Sequence, residues 1–341
     1  MSEAIQPALA SLRNGIIPAP DMLDAAFKAM LDGQATQAQI GAILMGLERV
    51  EVTPEMIASG ARAMRAAMTP VHTPLSCIDV CGTGGDGSHT LNISTAVSFV
   101  LAGCGHKVAK HGNRAMSSKS GAADVLEALG VKLDLSPARC AEALAEVGLV
   151  FLFAQSHHPA MRHVGPARRE LGFRTLFNLL GPLSNPAGAQ SQLLGVFADD
   201  KRRPMAEALH ALGCQSAWVV HGHGGLDEIA LSGPTRVTAL RAGSLEDFEL
   251  HPSDLGLPTA PLEALKGGDA AHNGRALRAL LDGETGPYRD VVLLNAAAAL
   301  VATESASDLQ SALAAAAHSL DSGKARDTLE ALIAFTNRTP A

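Results

Sequence analysis

Aromatic side chains are scarce in this chain of 341 residues, where one Trp, one Tyr and nine Phe amount to 3%. The interior must therefore be built from aliphatic residues, and the 47% hydrophobic content, mostly Ala, Leu and Val, is ample for a helix-rich α/β core that folds without staples. Positive charge is also in short supply. Lys and Arg total 27 against 34 Asp and Glu, a formal charge of −7, which argues against a protein that coats nucleic acid. Any anion site must be assembled locally. Five cysteines, at 77, 81, 104, 140 and 214, are odd in number and lack a CxxC pair, so reduced thiols are expected. No apolar run approaches the ~20 residues of a membrane span, and the N-terminus lacks a basic flank followed by an apolar stretch. The expectation is a soluble cytoplasmic protein with no membrane contact. There is no internal repeat and no low-complexity tail.

The length suggests two domains. Residues 1–69 read as helices only: Leu23, Ala26, Phe27 and Met30 form one stripe, and Ile40, Ile43, Leu44 and Leu47 another. Thr53-Pro-Glu-Met resembles a helix start with Pro at the first helical position. Two prolines within residues 69–75 suit an extended linker, and a hinge is placed there, leaving 70–341 as the second domain. From residue 76, short β-branched runs (Lys107-Val-Ala, Leu149 to Phe153, Leu193 to Phe197, Ala217 to Val220) alternate with helical ones. That alternation implies an α/β domain with a mostly parallel central sheet flanked by helices. Val291 to Ala302 and the alanine-rich 306–319 and 321–336 read as covering helices, while 252–272 carries little signal.

Two segments thirty residues apart look like a device for holding a phosphorylated sugar. Residues 79–86 read Asp-Val-Cys-Gly-Thr-Gly-Gly-Asp after a strand-like run, and a helix is expected from Asn92. A strand, glycine loop and helix in that order bring amide N–H groups and a helix N-terminus to one anion. No Gly-Lys-Ser/Thr follows, and the glycine spacing differs from the dinucleotide fingerprint, so a different phosphate ligand is implied. The second segment, Lys110-His-Gly-Asn-Arg114, again follows a strand and supplies two cations, an amide and a closely approaching backbone, with Ser117, Ser118 and Lys119 just beyond. A third segment, His221 to Glu228, ends a strand with a glycine-rich loop and adjacent carboxylates Asp227 and Glu228. Hard oxygen donors at that edge suit Mg²⁺ bridging to phosphates. His221 and His223, two residues apart without a third ligand, are weak evidence for a transition metal. Arg168 and its neighbours before Gly181-Pro182 could clamp a carboxylate. His157, His158 and His163 read as core or surface residues sooner than as catalysts.

These segments, in this order and at these separations, closely resemble the anthranilate phosphoribosyltransferase family, and the resemblance runs from the helical N-terminal region to about residue 335. It implies a small all-helical domain, with a contribution from about 168–190, joined to a large α/β domain. It also implies a homodimer formed through the helical domains. The family's reaction joins phosphoribosyl diphosphate to the amine of anthranilate, releasing diphosphate with inversion at the anomeric carbon. Carried onto this chain, the donor site would comprise Gly82, Gly85, Asp86, Thr90 and Asn92, then Ile93, Ser94 and Thr95. It would continue through Lys110, His111, Gly112, Asn113, Arg114, Ala115, Met116, Ser117 and Ser118, and include Ala122, where family members often carry Ser. Gly82, Asn113, Arg168, Gly181 and Pro182 would meet anthranilate; Ser94, Asp227 and Glu228 would hold Mg²⁺. No residue is fixed as a proton acceptor, His111 being the candidate. Rival expectations are a pyrimidine nucleoside phosphorylase, which shares the fold and a phosphate loop, and a non-catalytic relative that binds nucleic acid; the −7 charge opposes the second.

Overall fold

Alternation along the central strands divides the chain into two main cores. In the computed structural model, which describes residues 2–115 and 119–338, the strands are β1 (Ile78–Gly82), β2 (Val108–Gly112), β3 (Leu149–Phe153), β4 (Ser191–Gly195), β5 (Ser216–His221), β6 (Thr235–Arg241) and β7 (Ser244–Leu250). Side chains of successive strand residues point to opposite faces. Ile78, Val80, Leu193, Trp218 and Val220 accordingly join one core with the C-terminal helices. Cys81, Leu194, Ala217 and Val219 join a second core with the N-terminal helices.

The sheet has the order β3-β2-β1-β4-β5-β6-β7. The first five strands are parallel, while β6 and β7 add an antiparallel hairpin at one edge. The strand order reverses between β1 and β4, and ligands of open α/β sheets bind outside the carboxyl ends of strands at such a point. The hairpin adds two strands to those expected from the apolar runs. Its signal is present in the alternation of Thr235 to Arg241 and in the Ala242-Gly243 turn, where both residues have positive φ, the geometry of a tight hairpin turn. The edge strand β7 exposes Glu246, Asp247 and Glu249. Strands expected at 107–109 and 193–197 instead span 108–112 and 191–195, shifts of one to three residues, with both strands ending at a glycine.

The helices α1 (Gln6–Arg13), α2 (Pro20–Leu31), α3 (Gln37–Leu47) and α4 (Pro54–Ala67) form the N-terminal bundle. Local signals fix their starts. Thr36 and Gln39 form a capping box at α3, and Thr53 accepts from the Met56 amide with Pro54 leading α4. Helix Met161–Leu171 and the short helix Phe177–Leu180 pack into the same core, with the Phe27 and Phe177 ring centroids 6.0 Å apart. Pro166 interrupts the longer helix. The Gln37 side chain inserts there, donating to the His163 carbonyl (2.9 Å) and accepting from the Ala167 amide (3.1 Å), so two groups four residues apart bond to it.

On the other face, α5 (Ile93–Gly103) runs back from β1. Helix Pro287–Ala302, expected as a cover, is instead central: Ala296 to Ala299 are each 0% exposed, because only small side chains let helix, sheet and neighbouring helices approach so closely. The alanine-rich covers are found at Leu309–Asp321 and Lys324–Asn337. All five cysteines are free thiols.

Half-buried Arg65 of α4 ties the bundle to the α/β layer, donating to the Leu183 carbonyl (2.7 Å) and the Leu212 carbonyl (3.1 Å). Burial depresses its basicity, yet its charge remains. Arg65→Met keeps the aliphatic stem but leaves both carbonyls without that partner. A loss of about 2 kcal/mol and a Tm lower by about 2–5 °C are expected in calorimetry; an unchanged Tm would show that water replaces the guanidinium at no cost.

Candidate functional site

Two glycines facing each other across the switch point create the site. Gly82 ends β1 and Gly195 ends β4, and they are register partners. A Cβ on either would collide with Asp227, whose main chain lies directly over Gly195 and whose carboxylate lies over Gly82. The loop after β5 is thereby pressed onto the carboxyl edge of the sheet. Asp227 Oδ2 accepts from the Gly84 amide at 2.6 Å, and Glu228 Oε1 accepts from the Ser94 amide at 3.1 Å. Ser94 lies in the first turn of α5, so the second carboxylate also faces the positive end of a helix.

Lys110 completes this group from β2. Its ammonium is buried and donates to the Val80 carbonyl (2.6 Å) and to Ser94 Oγ (3.2 Å). Burial pushes the Glu228 carboxyl up to about 7, against the pull of Lys110. Asp227 is driven well above the usual carboxylate range, first by burial and then by the nearby charges of Asp86 and Glu228. Clustered carboxylates out of water are costly unless a cation joins them. Among the described residues no three His, Cys, Asp or Glu side chains form a metal cage. Two carboxylates and a hydroxyl that leave other positions to water and phosphate oxygens fit Mg²⁺, which seldom uses an all-protein cage. His221 and His223 turn elsewhere, to the Val196 carbonyl (2.8 Å) and the Ser232 hydroxyl (3.0 Å).

The remaining donor candidates among the described residues lie on the segments that follow β1 and β2. Gly84, Gly85 and Gly87 all have positive φ, which explains the glycine spacing of the loop. Asp86 caps the Ser88 amide at 3.1 Å. Thr90 bridges to Lys266, and Asn92, preceding Ile93 and Thr95 of α5, is held by Asn273 (2.8 Å) and by Tyr288 on its carbonyl (3.2 Å). Past Gly112, Asn113 Oδ1 accepts from the Arg114 amide at 2.8 Å. Arg114 points away to Asp124 and Glu127, and the Ala115 amide meets Asp124 at 3.0 Å. Ala122 opens the helix Ala122–Ala128, with Gly121 letting the Asn113 to Ala115 turn pack against it. Met116, Ser117 and Ser118 lie outside the described residues.

A second group faces the helical bundle. His111 Nδ1 meets the Gly181 carbonyl at 3.1 Å, and its Nε2 meets His158 Nε2 at 3.2 Å. A carbonyl only accepts, so the network assigns the His111 proton to Nδ1, and His158 Nε2 donates to His111 Nε2. Burial holds both rings neutral, His111 at about 3 and His158 at about 4. Arg168 is half-buried, 5.7 Å from the Phe177 ring centroid and 3.3 Å from Asn178 Oδ1. Among the described residues it has no carboxylate partner.

Several contributors carried no assigned role in the sequence. Asp79 is fully buried, accepts from the His111 amide (3.1 Å) and Asn185 (2.8 Å), and is pushed up to about 6 by burial. Gln192 donates to the Pro182 carbonyl at 2.6 Å. Arg174 reaches from the bundle side to the Gly85 carbonyl and lies over the Phe197 ring. The available signal for Asp79 and Gln192 is a polar residue inside an apolar strand.

Comparison with known proteins agrees with this layout. Residues 6–68 match the helical bundle domain and residues 75–326 the a/b domain of the glycosyl transferase family. The anthranilate phosphoribosyltransferase of Rhodopseudomonas palustris (strain HaA2) is 56% identical over 91% of this chain and 92% of its own. That of Xanthobacter autotrophicus is 53% identical over 98% and 97%. The crystal structure of anthranilate phosphoribosyltransferase (TrpD) from Thermus thermophilus is 44% identical, with a TM-score of 0.93 over 97% of this chain and 100% of that one. The Saccharomyces cerevisiae enzyme in complex with PRPP and Mg is 28% identical, with a TM-score of 0.90 over 98% of each chain.

The raised carboxyl of Glu228 makes stability depend on pH. Its folded pKa exceeds the ordinary value of 4.5, so the folded state retains the proton longer, and metal-free stability falls as pH rises from about 4.5 through about 7. Glu228→Gln should match the parent near pH 4.5 and exceed it by on the order of 1–3 kcal/mol at pH 8 without divalent cations, read by urea titration. Parity at pH 8 would place that carboxylate in water.

Proposed function

The chain belongs to the anthranilate phosphoribosyltransferases of the glycosyl transferase family, and we propose that it transfers the 5-phosphoribosyl group of phosphoribosyl diphosphate to the amine of anthranilate, releasing diphosphate, in tryptophan biosynthesis. The observation that carries this reading is the convergence of the glycine loop, the start of α5, buried Lys110 and the Asp227-Glu228 pair at the switch point. The donor's diphosphate lies along the Gly82 to Asp86 loop and the amides of α5, with the Asn113 turn closing over it. Asp227, Glu228 and Ser94 would hold Mg²⁺, which would supply positive charge to the leaving diphosphate.

Loss of diphosphate leaves a ribosyl centre with cationic character. Fixed N–H donors and Lys110 stabilise the charge that accumulates on the leaving group, in a site where those donors are already oriented. Anthranilate lies between this centre and the bundle, its carboxylate against Arg168 and its ring against Gly181-Pro182, near Asn113 and Gly82. A half-buried arginine without a carboxylate partner among the described residues is suited to that role. An aromatic amine is neutral at pH 7 and needs no strong base, so much of the rate comes from holding the two substrates in line. His111 keeps both ring nitrogens engaged and accepts a proton at Nε2 only when the contact with His158 opens.

The active unit is a cytoplasmic homodimer joined through the helical domains, where Ile16, Ile17 and Met45 are exposed. Among the described residues no helix is long and apolar enough to cross a membrane. Ile16→Asp combined with Met45→Asp should give monomers in light scattering, whereas an unchanged mass would move the interface elsewhere.

The deciding experiment mixes protein, anthranilate, phosphoribosyl diphosphate and Mg²⁺ and follows loss of free anthranilate. Consumption that stops without donor or metal is expected. Inactivity of folded protein, with phosphorolysis of a pyrimidine nucleoside instead, would reverse the assignment. In the same assay Arg168→Ala should raise KM for anthranilate by roughly 10- to 100-fold, the range for a lost charged hydrogen bond, with donor KM little changed. Equal anthranilate dependence would remove Arg168 from the pocket.

A further inference from the structure

The turn from Gly181 to Asn185, between the short helix Phe177–Leu180 and β4, is gripped by side chains from three adjacent strands. From β4, Gln192 Nε2 donates to the Pro182 carbonyl at 2.6 Å. From β2, His111 Nδ1 donates to the Gly181 carbonyl at 3.1 Å. From β1, Asp79 Oδ2 accepts from Asn185 Nδ2 at 2.8 Å, and the same amide donates to the Ala109 carbonyl at 2.7 Å. Asp79 and Gln192 are register partners on neighbouring parallel strands, so they stand side by side on one face of the sheet.

All three strand residues are buried: Asp79 is 0%, Gln192 3% and His111 7% exposed. That face otherwise packs aliphatic side chains against the bundle. Packing alone would be served as well by Leu or Met, which carry no desolvation cost. What the polar groups add is direction, since each hydrogen bond fixes one main-chain or amide atom of a single five-residue turn. Strand β1 carries both Asp79 and Gly82, so the turn and the glycine loop are referenced to one rigid element.

We propose that Gln192 and Asp79 are positioning residues for the acceptor: by holding the 181–185 turn to the sheet, they set the distance and angle of Gly181-Pro182 from the donor loop. The proposal rests on the assignment of that turn to the anthranilate pocket. Neither side chain need touch a substrate. The effect is expected in acceptor recognition and alignment, not in donor binding.

The test compares Gln192→Met, an apolar near-isostere, with Gln192→Glu, whose acid form alone can donate to the Pro182 carbonyl. For each, KM for anthranilate, KM for phosphoribosyl diphosphate and kcat are measured across pH 6 to 8.5, with Tm alongside. Gln192→Met should raise anthranilate KM about tenfold at every pH, the loss of one buried hydrogen bond, while donor KM stays within about twofold. Gln192→Glu should approach the parent's anthranilate KM at pH 6 and depart from it as the carboxylate forms. A fall in Tm with the ratio of the two KM values unchanged, or an equal rise in both, would overturn the proposal. If Gln192→Met does not fold, the pH profile of Gln192→Glu decides: a flat ratio to the parent overturns it. A parent that consumes no anthranilate refutes the functional reading itself, a result distinguishable from any of these.

Discussion

Everything in the site depends on how closely the Asp227 main chain approaches the ends of β1 and β4. Only hydrogen fits at Gly82 and Gly195, and any larger group would lift the 222–228 loop from the sheet. The contact places two consecutive carboxylates in different tasks. Asp227 organises the glycine loop through Gly84, and Glu228 organises the start of α5 through Ser94. Loop amides, helix terminus and acidic pair are therefore set by one dipeptide against one pair of glycines. The arrangement is poor for stability and good for binding, because burial raises both carboxyls against the pull of Lys110 and a bound cation would favour their charged forms.

The two faces of the sheet divide the labour. Lys110 lies on the face that carries α5, the face to which Ile78 and Val80 also point. His111, one residue on, turns to the opposite face and meets Gly181 and His158 on the side of the bundle. A step of one residue along β2 thus separates a buried ammonium beside α5 from a buried ring beside the bundle. The pleat of the strand accounts for this without any loop.

Much of this was legible in the sequence, and the parts that were not share a physical cause. Glycine loops, caps and adjacent carboxylates are local signals. Gly82 to Asp86, Thr53-Pro54 and Asp227-Glu228 could be placed because their geometry is set by a few neighbouring residues. Contacts across the sheet are not local: nothing near Asp79 announces Asn185, over a hundred residues away. The same holds for Pro287–Ala302, whose alanines suit an outer helix or one packed tightly on every side, and only its neighbours decide. The β6–β7 hairpin had a readable pattern, but its polar outer residues masked it beside the apolar parallel strands. Arg114 shows the limit of motif reading: its charge looked suited to phosphate, whereas in this structure it pairs with Asp124 and Glu127.

The acidic edge of β7 bears on solubility. A seven-stranded sheet ends there in an open row of main-chain donors and acceptors, the kind of border along which a second molecule could extend the sheet. Glu246, Asp247 and Glu249 stand along that border. Asp247 is paired with Arg202 and Arg203 and Glu249 with Arg236, so a second copy meeting this border edge to edge would have to desolvate charged side chains of both signs. The border is thus guarded by charged side chains, whose desolvation opposes extension of the sheet by another molecule.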